Sequence, residues 1–125
     1  MSLHTQQDHR GTLALLDNPI YTKYSRLFVV QNGTKNESIR GNHAHRISNQ
    51  FLVCLSGKIQ VELFDGTTTL NEQLSQFGDA IRVPPLVWTR QTYSKDAVLL
   101  VLSDTEYSES EYINSMEEFL KLVHK

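Results

Sequence analysis

Two histidines one residue apart are the side chains of this sequence best suited to chemistry. His43 and His45 stand shortly before an apolar run, Phe51 to Leu55. Residues i and i+2 of an extended segment point to the same face, so both imidazoles would lie on one side of a strand. There they could bind a metal ion or move a proton near neutral pH. An isolated pair of this kind is more often two surface residues on an edge strand, so the surrounding elements must decide between these interpretations.

The composition favours one folded domain and excludes several classes of partner. With 125 residues, 39% of them apolar and a net charge of -2, we expect a single domain over residues 1–125 with a packed core. No basic run is present, which predicts no nucleic-acid partner. The longest wholly apolar run, 97–102, is far shorter than the ~20 residues that span a bilayer, which predicts no membrane partner. The lone Cys54 and an N-terminus without an apolar signal segment favour a reducing, cytoplasmic setting.

Short strands separated by turn residues fill most of the chain. The clearest has apolar Ile59, Val61 and Leu63 alternating with polar residues, which predicts a strand with one buried face. Further strands are predicted within 8–16 and at 25–30, 51–55, 67–74, 80–83, 87–90 and 97–102. Asp17-Asn18-Pro19 predicts a turn, and Asn32-Gly33 predicts a tight reversal.

Only the C-terminal tail has helical periodicity. The spacing predicts a helix from Ser108 onward, and Ser115 to Glu118 matches a capping box. Phe119, Leu120 and Val123 would form its apolar face. The pattern predicts an all-β sandwich or barrel with a short C-terminal α-helix.

The histidine segment resembles the first motif of the cupin superfamily. His43 and His45 are followed after four residues by Gln50 and after six more by Gly57. A second motif follows, with Gly78, Pro84 and then Trp88-Thr89. The resemblance implies a cupin jelly roll. It also implies a metal held by three histidines and a glutamate, but Gln50 and Thr89 occupy two of those positions here. Because these are poor ligands for a transition metal, we expect no metal and no other cofactor.

A narrower resemblance covers almost the whole chain. The segments concerned are 8–11 (DHRG), 40–45 (RGNHAH), 50–57 (QFLVCLSG), 83–88 (VPPLVW) and the tail from Glu111. Together they resemble the WxcM-like/FdtA family of sugar-nucleotide 3,4-ketoisomerases. The resemblance implies a metal-independent isomerase of a thymidine diphosphate-linked 4-keto-6-deoxyglucose. It further implies a role in deoxysugar synthesis for surface polysaccharides and a homodimer that exchanges strands.

The implied reaction gives the candidate residues their roles. Moving a ketone from C4 to C3 requires a base that takes the C3 proton and returns a proton to C4, and a histidine can do both. The resemblance assigns this role to His43, with His45 as its partner or a second acid. Arg40 is the candidate for stabilising the enediolate and, with Arg10, for binding the diphosphate. The predicted catalytic set is therefore His43, His45 and Arg40, and the predicted substrate-binding set is Arg10, Gly11, Gln50, Trp88, Thr89 and Arg90.

Two departures from the family pattern leave alternatives open. Family members commonly carry a tyrosine pair where this chain has Phe28 and Val29, and a histidine where it has Thr89-Arg90. The missing phenol could alter proton relay or the substrate preference. The alternatives are a sugar-nucleotide epimerase, a cupin that binds a nucleotide sugar without turnover, and a metal-dependent cupin.

Overall fold

The strands of this protein form two facing sheets and a separate hairpin. The computed structural model describes residues 4–15 and 24–125. These residues form eleven strands, one 3₁₀ turn and one α-helix. The elements are β1 (His4–Asp8), β2 (Gly11–Leu15), β3 (Arg26–Gln31), β4 (Ser38–His45), β5 (Gln50–Ser56), β6 (Ile59–Phe64), β7 (Thr69–Leu74), β8 (Ala80–Val83), β9 (Trp88–Tyr93), β10 (Val98–Ser103), the 3₁₀ turn (Glu109–Glu111), β11 (Tyr112–Ile113) and α1 (Met116–Val123).

The two larger sheets are antiparallel and enclose the main core. One has the strand order β3-β10-β5-β8 and the other β11-β4-β9-β6-β7. Their inner faces contribute Leu52 and Leu99 from the first sheet and Ile59, Val61 and Tyr93 from the second to one buried cluster. Strand β6 alternates buried and exposed residues as its sequence predicts. The prediction of an all-β cupin-like fold with one short C-terminal helix is confirmed.

The C-terminal helix covers the outer face of the second sheet. Phe119 is fully buried and packs with Ala44, Ile113 and the half-buried Trp88. Ser115 is the N-cap, and its hydroxyl accepts a hydrogen bond from the Glu118 amide. The helix is therefore shorter than the tail pattern predicts. Residues 109–111 form a 3₁₀ turn and 112–113 add a strand to β4.

Two turn predictions have different outcomes. The reversal predicted at Asn32-Gly33 is wrong, because neither residue has a positive φ and β3 pairs with β10 rather than with the strand that follows. The Asn32 side chain instead donates to the Ser94 and Asn36 carbonyls at 2.8 and 2.9 Å and stabilises a wider loop. The turn predicted at Asp17-Asn18-Pro19 lies outside the described residues.

The N-terminal hairpin forms a sheet of its own. The sequence predicted a strand within 8–16, which is β2, but not its partner β1. No residue of either strand is buried, and Leu13 and Leu15 are exposed at 58% and 46%. A two-stranded hairpin is marginally stable in water without further packing.

No helix in the part of the chain that the structure describes has the length and apolar character needed to cross a bilayer.

Candidate active site

A cavity of about 480 Å³ opens between the two sheets at the end where β4 carries the histidines. Its apolar floor comes mainly from the core side of β3, β5 and β10, and its polar groups come mainly from β4 and β9. The lining residues are Phe28, Val30, Ile39, Arg40, Gly41, His43, Gln50, Leu52, Gln91, Tyr93, Val101 and Tyr112. A second opening, of about 540 Å³, is bordered by His43 and Tyr112 and by Tyr107, Glu109 and Asn114. His43 and Tyr112 therefore border two spaces that a ligand could occupy together.

A β-bulge in β4 brings Arg40 and His43 to the same face. Arg40 pairs with Gln91 and Gly41 with Arg90, but His43 pairs with Thr89, so Asn42 is an extra residue. Gly41 and Asn42 have φ values of 90° and 58°, a region where glycine and asparagine are favoured. Residues three apart on a regular strand point to opposite faces, and the extra residue restores them to one face. As a result a guanidinium and an imidazole both face the cavity.

His43 is the histidine that lines the cavity. Burial, followed by the nearby charge of His45, lowers its pKa to about 4, while a hydrogen bond to the Gly41 backbone and the charge of Glu111 act in the opposite direction. The ring is therefore neutral at pH 7. A neutral imidazole on the wall of a polar cavity can accept a proton from a bound molecule.

His45 lies deeper and is held by a carboxylate. Its ring is 4% exposed, and its Nδ1 lies 2.5 Å from Oε2 of Glu111. The other carboxylate oxygen accepts hydrogen bonds from the amides of Ile47 and Ser48 at 2.9 and 2.7 Å. Desolvation opposes ionisation of Glu111, but the bonds from His45 and the two amides outweigh it and lower the pKa of the carboxyl group. Because an ionised carboxylate only accepts hydrogen bonds, Nδ1 of His45 carries a proton and donates it to Glu111.

Tyr112 packs against both histidines. Its ring centroid is 4.5 Å from that of His45 and 5.1 Å from that of His43. Arg26, on the facing sheet, donates a hydrogen bond from Nη2 to the Tyr112 hydroxyl at 3.1 Å. The Arg26 guanidinium also lies over the rings of Phe28 and Tyr107, at 5.1 and 5.4 Å from their centroids.

Gln50 and Thr89 lie close to the histidines on the inner faces of the sheets. Gln50 lines the cavity at 7% exposure, whereas Thr89 is 4% exposed and lies opposite His43 on β9. Among the described residues, no three side chains of His, Cys, Asp or Glu come together as metal ligands. The carboxylate nearest the histidines, Glu111, is already bound by Nδ1 of His45 and two amides.

Trp88 and Arg90 do not line the cavity. Side chains alternate along β9, so these two residues point to the outer face while Thr89, Gln91 and Tyr93 point inward. Trp88 packs on Phe119 of α1, with ring centroids 5.7 Å apart, and Arg90 is exposed. The structure therefore places both residues outside the cavity, because a residue adjacent to an inward-facing one faces outward, and their role as substrate contacts stays a prediction.

Arg10 and Gly11 lie in the turn of the N-terminal hairpin. Arg10 forms a 2.7 Å ion pair with Asp8 and is 79% exposed, and Gly11 has a φ of 131°. Neither residue borders the cavity. The structure of one chain therefore brings Arg40, His43 and Gln50 together with the buried His45 and Thr89, but not Arg10 or Gly11.

Sequence reasoning missed Glu111, Tyr112 and Arg26. Glu111 and Tyr112 were assigned to a helix, although a β-compatible Tyr-Ile pair before the Ser115 cap was a signal that the helix begins later. Arg26 lies at the start of a predicted strand, and Phe28 and Val30, at alternate positions after it, are apolar and pack against the core. This alternation is the only sequence signal that Arg26 faces inward.

Comparisons with known proteins identify the family of this chain and agree with its fold. The family model for FdtA, described as WxcM-like, C-terminal, matches residues 1–124. The TDP-4-oxo-6-deoxy-alpha-D-glucose-3,4-oxoisomerase of Aneurinibacillus thermoaerophilus is 34% identical over 121 residues, which are 94% of this chain and 86% of that protein.

Solved structures are similar over nearly the whole chain. A 3,4-ketoisomerase from Helicobacter canadensis superposes with a TM-score of 0.90 at 29% identity, covering 99% of this chain and 95% of that one. WlaRA, a TDP-fucose-3,4-ketoisomerase from Campylobacter jejuni, superposes with a TM-score of 0.87 at 26% identity, covering 98% and 92%. On the family match over 1–124 and the 34% identical relative, this chain belongs to the WxcM-like, C-terminal (FdtA) family.

Proposed function

We propose that this protein is a TDP-sugar 3,4-ketoisomerase that moves the ketone of a thymidine diphosphate-linked 4-keto-6-deoxyhexose from C4 to C3 through an enediol. The observation that carries the proposal is a neutral His43 on the cavity wall beside Arg40, in a chain 34% identical to a named 3,4-oxoisomerase of this substrate. The substrate class comes from that relative and from the TDP-sugar isomerases of similar structure.

The cavity residues supply what the reaction needs. His43 takes the proton from C3 and returns one to C4 on the same face of the sugar. Arg40, which the bulge directs to the cavity, stabilises the negative charge on the enediolate or on the diphosphate. Gln50 binds a sugar hydroxyl through its amide. The hydrogen bond to Glu111 fixes the orientation of the His45 ring, which provides a polar group beside His43.

The reaction proceeds in this proposal without a metal or another cofactor. The charge on the intermediate is met by Arg40, and the proton transfers need only groups that titrate or hydrogen-bond. Nδ1 of His45 is bound to Glu111, and the two remaining cupin ligand positions hold Gln50 and Thr89. A protein treated with a chelator should therefore retain full turnover.

The active form is proposed to be a homodimer that exchanges its N-terminal hairpins. The exposed Leu13 and Leu15 of the hairpin need a surface to cover them, and edge strand β3 presents Leu27 and Val29 outward at 61% and 55% exposure. Docking on a second copy would bury all four side chains. It is also the route by which Arg10 could reach a cavity. Light scattering should give the mass of a dimer, and Leu27→Asp should shift it toward the monomer.

The proposed compartment is the cytoplasm, and the proposed role is deoxysugar synthesis for surface polysaccharides as a single domain. The free, fully buried Cys54 is compatible with a reducing compartment.

The test is a proton NMR time course with thymidine diphosphate 4-keto-6-deoxyglucose in deuterated buffer. We expect ring signals of the 3-keto isomer and incorporation of deuterium at the sugar carbons. Deuterium incorporation with retention of the 4-ketone would instead indicate an epimerase. A nucleotide sugar that binds but never changes would contradict the proposal and indicate a binding protein.

A further inference from the structure

We propose that Tyr112 is a catalytic residue whose hydroxyl transfers a proton between the two oxygens of the reacting sugar. The inference rests on the proposed ketoisomerase function. It addresses a requirement that the histidines do not meet: converting a 4-ketone to a 3-ketone moves a hydrogen from C3 to C4 and also a proton from O3 to O4.

The balance of the reaction defines what this second group must do. In the first step a base takes the C3 proton, the electron pair forms the C3=C4 double bond, and an acid gives its proton to O4, which yields the enediol. In the second step the deprotonated acid takes the proton of O3, and the C3=O double bond forms. The electron pair of the C3=C4 double bond then forms a C4–H bond with the proton that the base returns. Both groups return to their starting state, and no oxidant or cofactor is consumed.

Tyr112 has the position for this role. It borders the main cavity and the second opening, and its ring packs on both histidines. It pairs directly with His45 across β11 and β4, which places it on the inner face of the sheet. The vicinal oxygens O3 and O4 are close enough for one phenol oxygen to serve both.

Arg26 prepares the hydroxyl for proton transfer. The guanidinium donates to the Tyr112 oxygen, so the phenol keeps its own proton to donate, and the phenolate formed in the enediol step is stabilised by a charge-assisted hydrogen bond. Arg26 Nε is buried and has no hydrogen-bond partner among the described residues. The side chain is held between Phe28 and Tyr107, so its orientation toward Tyr112 is enforced by packing.

Other side chains in or near the cavity are less suited to this proton transfer. Phe28 has no hydroxyl. The hydroxyl of Tyr93 donates to Oε1 of Gln91 at 2.8 Å, and burial raises its pKa to about 12 against a small opposing effect of Arg40. His45 is 4% exposed and does not border the cavity. Tyr112 thus supplies the phenol that the family pattern places on β3.

Tyr112→Phe tests the proposal, with Tyr24→Phe as the control, because Tyr24 is a surface-exposed tyrosine that borders neither opening. We expect kcat of Tyr112→Phe to fall by about 10²- to 10⁴-fold, the usual contribution of a general acid. KM and the affinity for TDP should stay within about threefold, because the ring and its packing remain. Tyr24→Phe makes the same chemical change, the loss of one phenol hydroxyl, away from both openings and should retain kcat within about threefold.

The outcomes separate this proposal from the proposed function. If the wild-type protein interconverts the 4-keto and 3-keto sugars and Tyr112→Phe does so within threefold of its rate, Tyr112 is not the proton carrier. If the wild-type protein shows no turnover, the proposed function itself fails. Partial recovery in Phe28→Tyr/Tyr112→Phe would support the assignment directly, because a hydroxyl on β3, across the cavity in the facing sheet, would replace the one removed.

Discussion

Replacing Glu111 with glutamine should change the proton position on His45 while leaving the fold in place. One carboxylate oxygen accepts from the Ile47 and Ser48 amides, and the other faces Nδ1 of His45 at 2.5 Å. In Glu111→Gln the amide oxygen must keep the two backbone donors. The NH₂ group then faces Nδ1, which has to become an acceptor. The proton of the neutral ring moves to Nε2.

The expected magnitudes follow from the bonds that change. Hydrogen bonds to a charged group contribute about 1.5–3 kcal/mol and neutral ones about 0.5–1.5 kcal/mol, a difference of about 1–1.5 kcal/mol per bond. Converting three bonds should therefore lower the free energy of unfolding by about 3–4.5 kcal/mol. Catalysis should suffer as well, because the ring of His45 packs edge-on against the ring of the base His43, with centroids 5.1 Å apart. A wrong tautomer costs up to about 10⁴-fold in kcat when the histidine is itself the base. Because His45 acts on the base through a ring contact, we expect a smaller decrease, about 10- to 100-fold, with KM within threefold.

Two measurements check this prediction. Long-range ¹H–¹⁵N correlation spectra report which ring nitrogen of His45 carries the proton, and the NMR time course in deuterated buffer reports turnover. Glu118→Gln is the matched control, since Glu118 also forms an ion pair, with Arg46, but on the surface. A Glu111→Gln variant with the changed tautomer and full turnover would refute the reasoning that Glu111 acts through His45.

Three further predictions concern groups of the cavity. His43→Asn should abolish isomerisation and leave TDP binding within threefold; loss of binding and folding together would instead indicate a structural histidine. The same variant should lose less stability on acidification. The pKa of His43 is 6.5 in the unfolded state and about 4 in the folded state, so the unfolded state of the wild-type protein takes up a proton first as the pH falls. This difference lowers the free energy of unfolding by about 2 kcal/mol between pH 7.5 and 5. Urea unfolding at the two pH values measures this difference, and an equal loss in both proteins would contradict the depressed pKa. Arg40→Ala should raise KM and lower kcat, each by about tenfold or more, whereas Arg90→Ala, one strand away and facing outward, should change neither; equal effects would place the substrate elsewhere.

The strands could be predicted because their signals are local. Alternation in β6 and the apolar run of β10 each specify a strand, and the Pro84-Pro85 pair ends β8. The failures arise where tertiary pairing overrides a local signal. Asn32-Gly33 has the residues of a tight turn, but β3 finds its partner in β10, some 70 residues later in the chain.

The candidate site could be predicted only in part for the same reason. His43, His45, Arg40 and Gln50 lie in one contiguous segment, where spacing carries information. Glu111 reaches His45 from 66 residues away, and no periodicity marks such a contact. Trp88 and Arg90, which are also predicted to contact the substrate, show how little adjacency in sequence says about the face of a strand. Both are adjacent in sequence to the inward-facing Thr89, and adjacent residues of a strand point to opposite faces of the sheet.

The extra residue at Asn42 has a consequence for how such a site can be gained or lost. On a regular strand Arg40 and His43 would face opposite sides of the sheet, so the extra residue places both side chains at the same cavity. A single-residue deletion would reverse it, turning the cation to the outer surface while the histidines keep their pairing with β9 and β11. The bulge also favours glycine at position 41, because a Cβ at Gly41 would lie 3.0 Å from the Thr89 carbonyl oxygen. In this segment, the face of the sheet on which the arginine lies therefore depends on the number of residues between Arg40 and His43.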